Sequence, residues 1–314
     1  MSPSEIIAVI GATGSQGGSV VDALLEAGEF KVRAVLRNPT PEKAEPLRAR
    51  GLSLIKAFEG VYGIYAVTDF IEPFMKYGPE EAEKIELVQA TNLAQAAAAT
   101  DSLSHYIWST LPSSAKLSQG KYLTPHFESK AAVDEYILKE LPDLAAKTTF
   151  FWISYYASNL TFPPFTPNLL RSSGQYGWIQ PVDGSTPITT VGDERKNVGL
   201  FVKAILQNPK LTRGGKYVLA EVETLTNQQV LESWGRATGK PVTYIPTTLD
   251  AYDSLFPKWG REMGVMLEFW NAAGKDSWSK PGVTPLHKED LGIDVVKLTG
   301  LETALGAIKW KGLT

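Results

Sequence analysis

Cysteine is absent from the 314-residue chain, which excludes disulfides, thiol nucleophiles and cysteine-ligated metal. Histidine is nearly so: His105, His126 and His287 are the whole supply, too scattered to suggest a metal centre, and none is expected. No apolar run is long enough to span a bilayer. The first strand-like segment starts beside Glu5, so no signal peptide is expected. A dominant charge is also missing, since 31 basic and 34 acidic residues leave a net charge of -3. No Lys/Arg run suggests a grip on a phosphate backbone. These absences lead us to expect a cytoplasmic chain (nuclear if a regulator), with neither a membrane nor a nucleic acid as direct partner. A hydrophobic content of 43% supplies core enough for one large domain or two joined ones.

What is present begins with an apolar run, Ile6-Ile7-Ala8-Val9-Ile10, followed by Gly11-Ala12-Thr13-Gly14-Ser15-Gln16-Gly17-Gly18. A helical pattern carried by Val20, Val21, Leu24 and Leu25 comes next, then a second strand over residues 31–36. Glycines allow a tight turn and a close approach of backbone to a pyrophosphate, while the helix start offers N–H groups and a positive dipole end. The β-α-β context points to a dinucleotide site made by Gly11, Thr13, Gly14, Ser15, Gln16 and Gly17. Its specificity is written at the tip of the second strand, Leu36-Arg37-Asn38-Pro39. An NAD site usually carries an acidic residue there for the ribose 2′-hydroxyl. A guanidinium suits NADP(H) instead, with Arg37 pairing the 2′-phosphate and Lys43 adding charge.

Further strands are predicted at 63–67, 106–109 and 149–154, alternating with helices at 80–99 and 127–138. That alternation gives an α/β fold: a doubly wound parallel sheet with ligands across the carboxyl ends of its strands. Only 26 residues separate Leu36 from Gly63, whereas a helix-strand-helix segment needs roughly 35 to 40. Residues 53–60 read as a short helix stopped by Gly60, which leaves Gly51 and Leu52 for a third strand, so a lost or truncated edge strand is expected. Beyond about residue 155 the composition shifts, with a proline-rich stretch at 161–167 and seven of the eight tryptophans after position 150. A helix at 196–206, a strand at 216–220, a helix at 227–237 and a strand at 242–245 suggest a smaller α/β substrate lobe. The expected division is 1–155 and 156–314, the second part interleaved with the first.

The segments Gly11-Ala12-Thr13-Gly14-Ser15-Gln16-Gly17, Arg37-Asn38-Pro39, Val61-Tyr62-Gly63-Ile64-Tyr65-Ala66-Val67-Thr68-Asp69-Phe70 and His126-Phe127-Glu128-Ser129-Lys130 together resemble the NmrA-like proteins. These are atypical members of the short-chain dehydrogenase/reductase superfamily, built on a Rossmann domain. The likeness runs to about Leu255 and is most specific in the first 160 residues. It implies NADP(H) binding but leaves the reaction open. The family holds fungal regulators and redox sensors that bind NADP without evident turnover, and also reductases of specialised metabolism similar to isoflavone and benzylic-ether reductases. Typical short-chain dehydrogenases carry Tyr-x-x-x-Lys, whereas this chain has His126 and Lys130 in that register, so the tyrosine acid is gone. The resemblance assigns Lys130 to the nicotinamide ribose, where it also lowers the pKa of a neighbouring acid.

Four residues apart on a helix, His126 and Lys130 share a face. His126 can return a proton after hydride transfer, or simply pack at the helix start. Tyr155 and Tyr156, at the end of the strand 149–154, are alternative donors, with Asn159 orienting the same segment. Thr68 and Ser109 follow strands at positions that line the cofactor. Phe162, Phe165, Trp178, Trp259, Phe269, Trp270 and Trp278 either wall a pocket for a flat aromatic or polycyclic substrate or fill core. The leading expectation is an NADPH-dependent reductase acting on a C=O, C=N or activated C=C bond of a specialised metabolite. Two alternatives remain open: an NADP(H)-sensing regulator with a protein partner such as a transcription factor, and a cyclase or isomerase that keeps NADPH as a structural part.

Overall fold

Strand β1 (Ile6–Ile10) buries its three central residues completely, as a strand covered on both faces must. In this computed structural model, which describes residues 5–36 and 57–310, β1 turns through Gly11 into α1 (Ser15–Ala27) and returns as β2 (Lys31–Val35). Gly28, at φ +67°, ends α1 in the left-handed region that glycine adopts without strain. The chain continues through β3 (Gly63–Ala66), α2 (Ile71–Tyr77), α3 (Pro79–Ala98), β4 (His105–Thr110), α4 (Pro125–Glu140) and β5 (Thr148–Ile153). After β6 (Tyr155–Tyr156), β7 (Asn168–Leu170), β8 (Gln175–Gln180) and β9 (Pro187–Gly192) come α5 (Glu194–Gln207) and β10 (Lys216–Ala220). The last elements that matter here are β11 (Glu223–Thr226), α6 (Asn227–Thr238), β12 (Val242–Pro246) and α7 (Gly260–Ala273).

Among the described residues the main sheet has the order β2-β1-β3-β4-β5-β10, with every neighbouring pair parallel. Alternate side chains sort to opposite faces. Ile7 and Val9 pack with Val20, Leu24, Val198 and Phe201 of α1 and α5, whereas Ala8 and Ile64 pack with Ala90, Ala94, Val133 and Ile137 of α3 and α4. This is the Rossmann-like parallel architecture expected. Two three-stranded sheets, β11-β9-β6 and β12-β8-β7, build the remainder.

One expectation needs amendment. The strand and helix assigned to the smaller lobe at 216–220 and 196–206 belong to the main sheet: β10 pairs with β5, Val218 opposite Phe151, and α5 lies along α1. Hydrophobic runs reveal that a strand is buried, not which sheet it joins. The lost or truncated third strand expected at Gly51-Leu52 falls outside the described residues, among which β2 is the sheet edge. No helix among the described residues is long and apolar enough to cross a membrane.

Contact between α1 and α5 depends on Gly199. A Cβ there would stand 2.1 Å from the Ser19 carbonyl oxygen and 2.7 Å from the Ala23 Cβ, and the Gly199 N–H donates to Ser19 Oγ at 2.8 Å. Gly199→Ala is therefore expected to force the helices apart and cost about 1–3 kcal/mol, read as a lower urea midpoint. Gly306→Ala, where a Cβ meets nothing within 4 Å, should be neutral or mildly stabilising. Equal midpoints for the two variants would refute the packing argument.

Candidate functional site

The turn after β1 is built around one close approach. Gly11 takes φ +66°, and its carbonyl accepts the Gly14 N–H at 2.8 Å. A Cβ on Gly17 would sit 2.3 Å from that same carbonyl oxygen, so only glycine lets α1 start inside the turn. Gly14 caps the helix with no side-chain bond, which leaves the N–H groups of Ser15, Gln16 and Gly17 without intrahelical acceptors. A helix start left uncapped, with Thr13 and Gly14 exposed beside it, has the shape and dipole that a pyrophosphate requires.

Gln16, in the first turn of α1, ties four elements together. Its Oε1 accepts from Tyr65 Oη on β3 at 2.6 Å and from Ser109 Oγ on β4 at 2.9 Å, while Nε2 donates to Tyr156 Oη on β6. Burial raises both phenols well above the ordinary tyrosine range, Tyr65 with a further push from Tyr156, so both stay protonated. The two tyrosines of β6 divide their roles. Tyr156 joins the glycine turn, but Tyr155 turns into the core between Phe165 and Trp270, where its buried hydroxyl has no hydrogen-bond partner among the described residues. The expected donor Tyr155 is thus placed with its hydroxyl in the core, apart from the Gln16 network that Tyr156 joins, as neighbours on opposite faces of a strand are. Asn159 stands half-buried in the turn Ala157–Thr161 just after it.

Lys130 and Thr68 come together, through a residue the sequence reading overlooked. Lys130 Nζ donates to Glu86 Oε1 on α3 at 2.7 Å, to Thr68 Oγ1 at 3.1 Å and to the Thr68 carbonyl at 3.4 Å, and it lies 5.6 Å from the centre of the Trp108 ring. Glu86 has no exposed surface; it also accepts from Thr68 Oγ1 at 2.8 Å and from Ser129 Oγ. Burial pushes its carboxyl up, but the Lys130 charge and the bonds from Lys130, Ser129 and Thr68 outweigh this and hold it below the usual range. Its signal was legible: Ala82, Glu86, Ala90 and Ala94 form one i, i+4 row, and a carboxylate in a buried alanine row needs a cation.

His126 takes a different partner from Lys130 despite sharing its helix. Its Nδ1 lies 2.5 Å from Glu262 Oε1 on α7, which also accepts the His126 backbone N–H at 3.2 Å. The ring packs 5.7 Å from Phe70 and edge-on to Phe127. Nothing near His126 in sequence announces Glu262, which arrives from 136 residues away. Most of the expected pocket aromatics are core: Phe165, Trp178, Phe269, Trp270 and Trp278 are buried, and only Phe162 and Trp259 stay half-buried, their rings crossing at 4.2 Å. Arg37 and Lys43 lie outside the described residues.

The sequence pattern of the NmrA-like family matches residues 3–294. The chain belongs to that family. An NmrA-like family domain-containing protein of Dictyostelium discoideum is 27% identical, over 98% of this chain and 99% of its own. The NmrA-like family domain-containing oxidoreductase cpsB of Aspergillus campestris is also 27% identical, over 76% of this chain and 75% of its own. Among solved structures, NmrA, a negative transcriptional regulator in complex with NADP, superposes with a TM-score of 0.76 at 21% identity, covering 98% of this chain and 96% of its own. The NADPH-dependent quinone oxidoreductase QOR2 of Escherichia coli gives 0.65 at 16% identity, over 95% and 98% of the two chains. These likenesses establish the shared fold.

One turn beyond Lys130, α4 of this NmrA-like chain carries a second buried carboxylate. Asp134 accepts from Thr110 Oγ1 at 2.6 Å, Trp108 Nε1 at 3.1 Å and Tyr217 Oη at 3.2 Å. Burial dominates those bonds and the Lys280 charge, pushing the carboxyl up to about 7. An unfolded aspartate titrates near 3.9, so between about pH 4 and 7 the folded state binds the extra proton, and stability falls as pH rises through that window. The melting temperature is expected to decline from pH 5 to 7, and Asp134→Asn, neutral throughout, should flatten the decline. An unaltered slope in the variant would assign the effect elsewhere.

Proposed function

We propose that this chain is an NADPH-dependent reductase of a small, flat metabolite with a C=O, C=N or activated C=C bond. The carrying observation is the uncapped start of α1, held against the Gly11 carbonyl by Gly17 and joined through Gln16 to the ends of β3, β4 and β6. The N–H groups of Ser15, Gln16 and Gly17 would hold the diphosphate, and Arg37 the 2′-phosphate. Relatives described as oxidoreductases, cpsB and hkm9 of Aspergillus species, and neighbours crystallised with NADP or NADPH support this reading.

Bound NADPH supplies the hydride. Lys130, fixed by Glu86, presents a positive charge near the ribose of the nicotinamide half. His126 manages the proton: with Nδ1 donating to Glu262, Nε2 is the nitrogen left to exchange one with the substrate oxygen or nitrogen. Trp259 and Phe162, half-buried and edge to face, give an apolar wall to a flat substrate. The partner under this reading is a small molecule.

A second reading, an NADP(H)-sensing regulator, draws on two features. Tyrosine is missing where the superfamily places its acid, and the Tyr155 hydroxyl is enclosed. The nitrogen metabolite repression protein of Neurospora crassa is 22% identical over 89% of this chain, which spans 62% of that protein. Calorimetric titration with NADPH, NADP and NADH, followed by turnover of deuteride-labelled NADPH with aromatic ketones, imines and enones, separates the two. Deuterium in a product establishes the reductase. A marked preference for one redox form with no label transferred establishes the sensor.

Arg37→Ala should weaken NADPH binding about tenfold or more while leaving NADH binding nearly unchanged; an equal loss for both would remove Arg37 from the 2′-phosphate. Lys130→Ala should lower turnover far more than it weakens NADPH binding. Unchanged turnover would exclude Lys130 from the mechanism.

A further inference from the structure

Glu86 is expensive where it stands. Its row on α3 is otherwise alanine, with Ala82, Ala90, Ala94 and Ala97 all buried, so a small apolar residue would fit without a carboxylate to desolvate. Buried ion pairs are often no more stable than apolar replacements, so stability alone does not account for this one. The geometry around it is complete. Oε1 receives Lys130 Nζ and Thr68 Oγ1, and Oε2 receives Ser129 Oγ. On the other side, the three hydrogen bonds that Lys130 donates, to Glu86, Thr68 Oγ1 and the Thr68 carbonyl, match the three protons of an ammonium.

An ammonium so engaged has no proton spare for a ribose hydroxyl unless one bond gives way. The contact to Glu86, at 2.7 Å, is short and charge-assisted, whereas those to Thr68 are longer, at 3.1 and 3.4 Å, and neutral. We propose that Glu86 is a positioning residue for the dinucleotide site: it anchors the Lys130 ammonium over Trp108, and Thr68 is the contact exchanged for a ribose hydroxyl. This rests on the NADPH-binding reading above. The other charged groups nearby are already committed: Glu128 accepts from Ser113, Ser114 and the Ala115 N–H, Glu262 holds His126, and Asp134 holds Trp108 and Thr110. Glu83, whose carboxyl is raised by burial and then by Glu128 and Glu262, sits in the preceding turn of α3. Of these carboxylates only Glu86 is bonded to Lys130 among the described residues.

The test is a double-mutant cycle on NADPH affinity, measured by calorimetry on the full chain with far-UV circular dichroism as a check on folding. Glu86→Gln is expected to weaken binding about fivefold or more when Lys130 is present, and less than about twofold in a Lys130→Met background, where no ammonium remains to be placed. If Glu86→Gln fails to fold, Glu86→Asp, which keeps the charge but withdraws it by one methylene, replaces it in the cycle. The same loss in both backgrounds would make Glu86 merely structural and overturn the proposal, as would no loss in either. A wild-type chain that binds no NADPH would instead sink the cofactor reading itself.

Discussion

The contact on which the rest of this molecule depends is the approach of the Gly17 α-carbon to the Gly11 carbonyl. With a side chain at residue 17, α1 would have to start further out along the chain or tilt away from β1. Its free N–H groups would then no longer converge at the carboxyl edge of the sheet. Because Gln16 is the neighbouring residue, the same approach delivers its amide to Tyr65, Ser109 and Tyr156. A second glycine, Gly199, repeats the device from outside, letting α5 press on α1 and fix its axis. Strand, turn, helix and hydroxyl network thus form one hydrogen-bonded frame, and the proposed nucleotide site would be set mainly by its backbone.

Across the sheet, the α3 and α4 side is governed by charge. Alternation along β4 divides the labour: Ser109 faces α1 and bonds Gln16, while Thr110 faces α4 and bonds Asp134. Trp108 joins the two buried carboxylates, its ring beneath Lys130 and its Nε1 on Asp134. One carboxylate is held ionised by a cation, and the other is driven towards neutrality by burial because its neighbours are mainly neutral donors. An ion pair and a titrating acid one helical turn apart give α4 two different electrostatic environments.

Much of this was legible in the sequence, and the failures have specific causes. The β1-α1-β2 unit declares itself because the glycines, the apolar run before them and the helix after them are contiguous. Strand β10 was found at the expected residues, yet its membership of the main sheet was not, since period and hydrophobicity carry no information on long-range partners. Tyr155 and Tyr156 could not be told apart because β6 is two residues long with an irregular register. The expected pocket aromatics look alike in sequence whether they fill core or line a wall; burial separates Phe162 and Trp259 from Phe165, Trp178, Phe269, Trp270 and Trp278. Glu86 could have been found by asking why a carboxylate interrupts an alanine row, whereas Glu262 offered no comparable cue.

The central claim is that a dinucleotide's phosphates rest on the start of α1, and its most direct measurement is the NADPH affinity of Gly17→Ala beside that of the wild type. The sheet should keep its far-UV signature, because its pairing does not pass through residue 17. Affinity should fall by about two orders of magnitude, as displacement of a preorganised site by an ångström can cause. A folded Gly17→Ala protein that binds NADPH as tightly as the wild type would contradict the account.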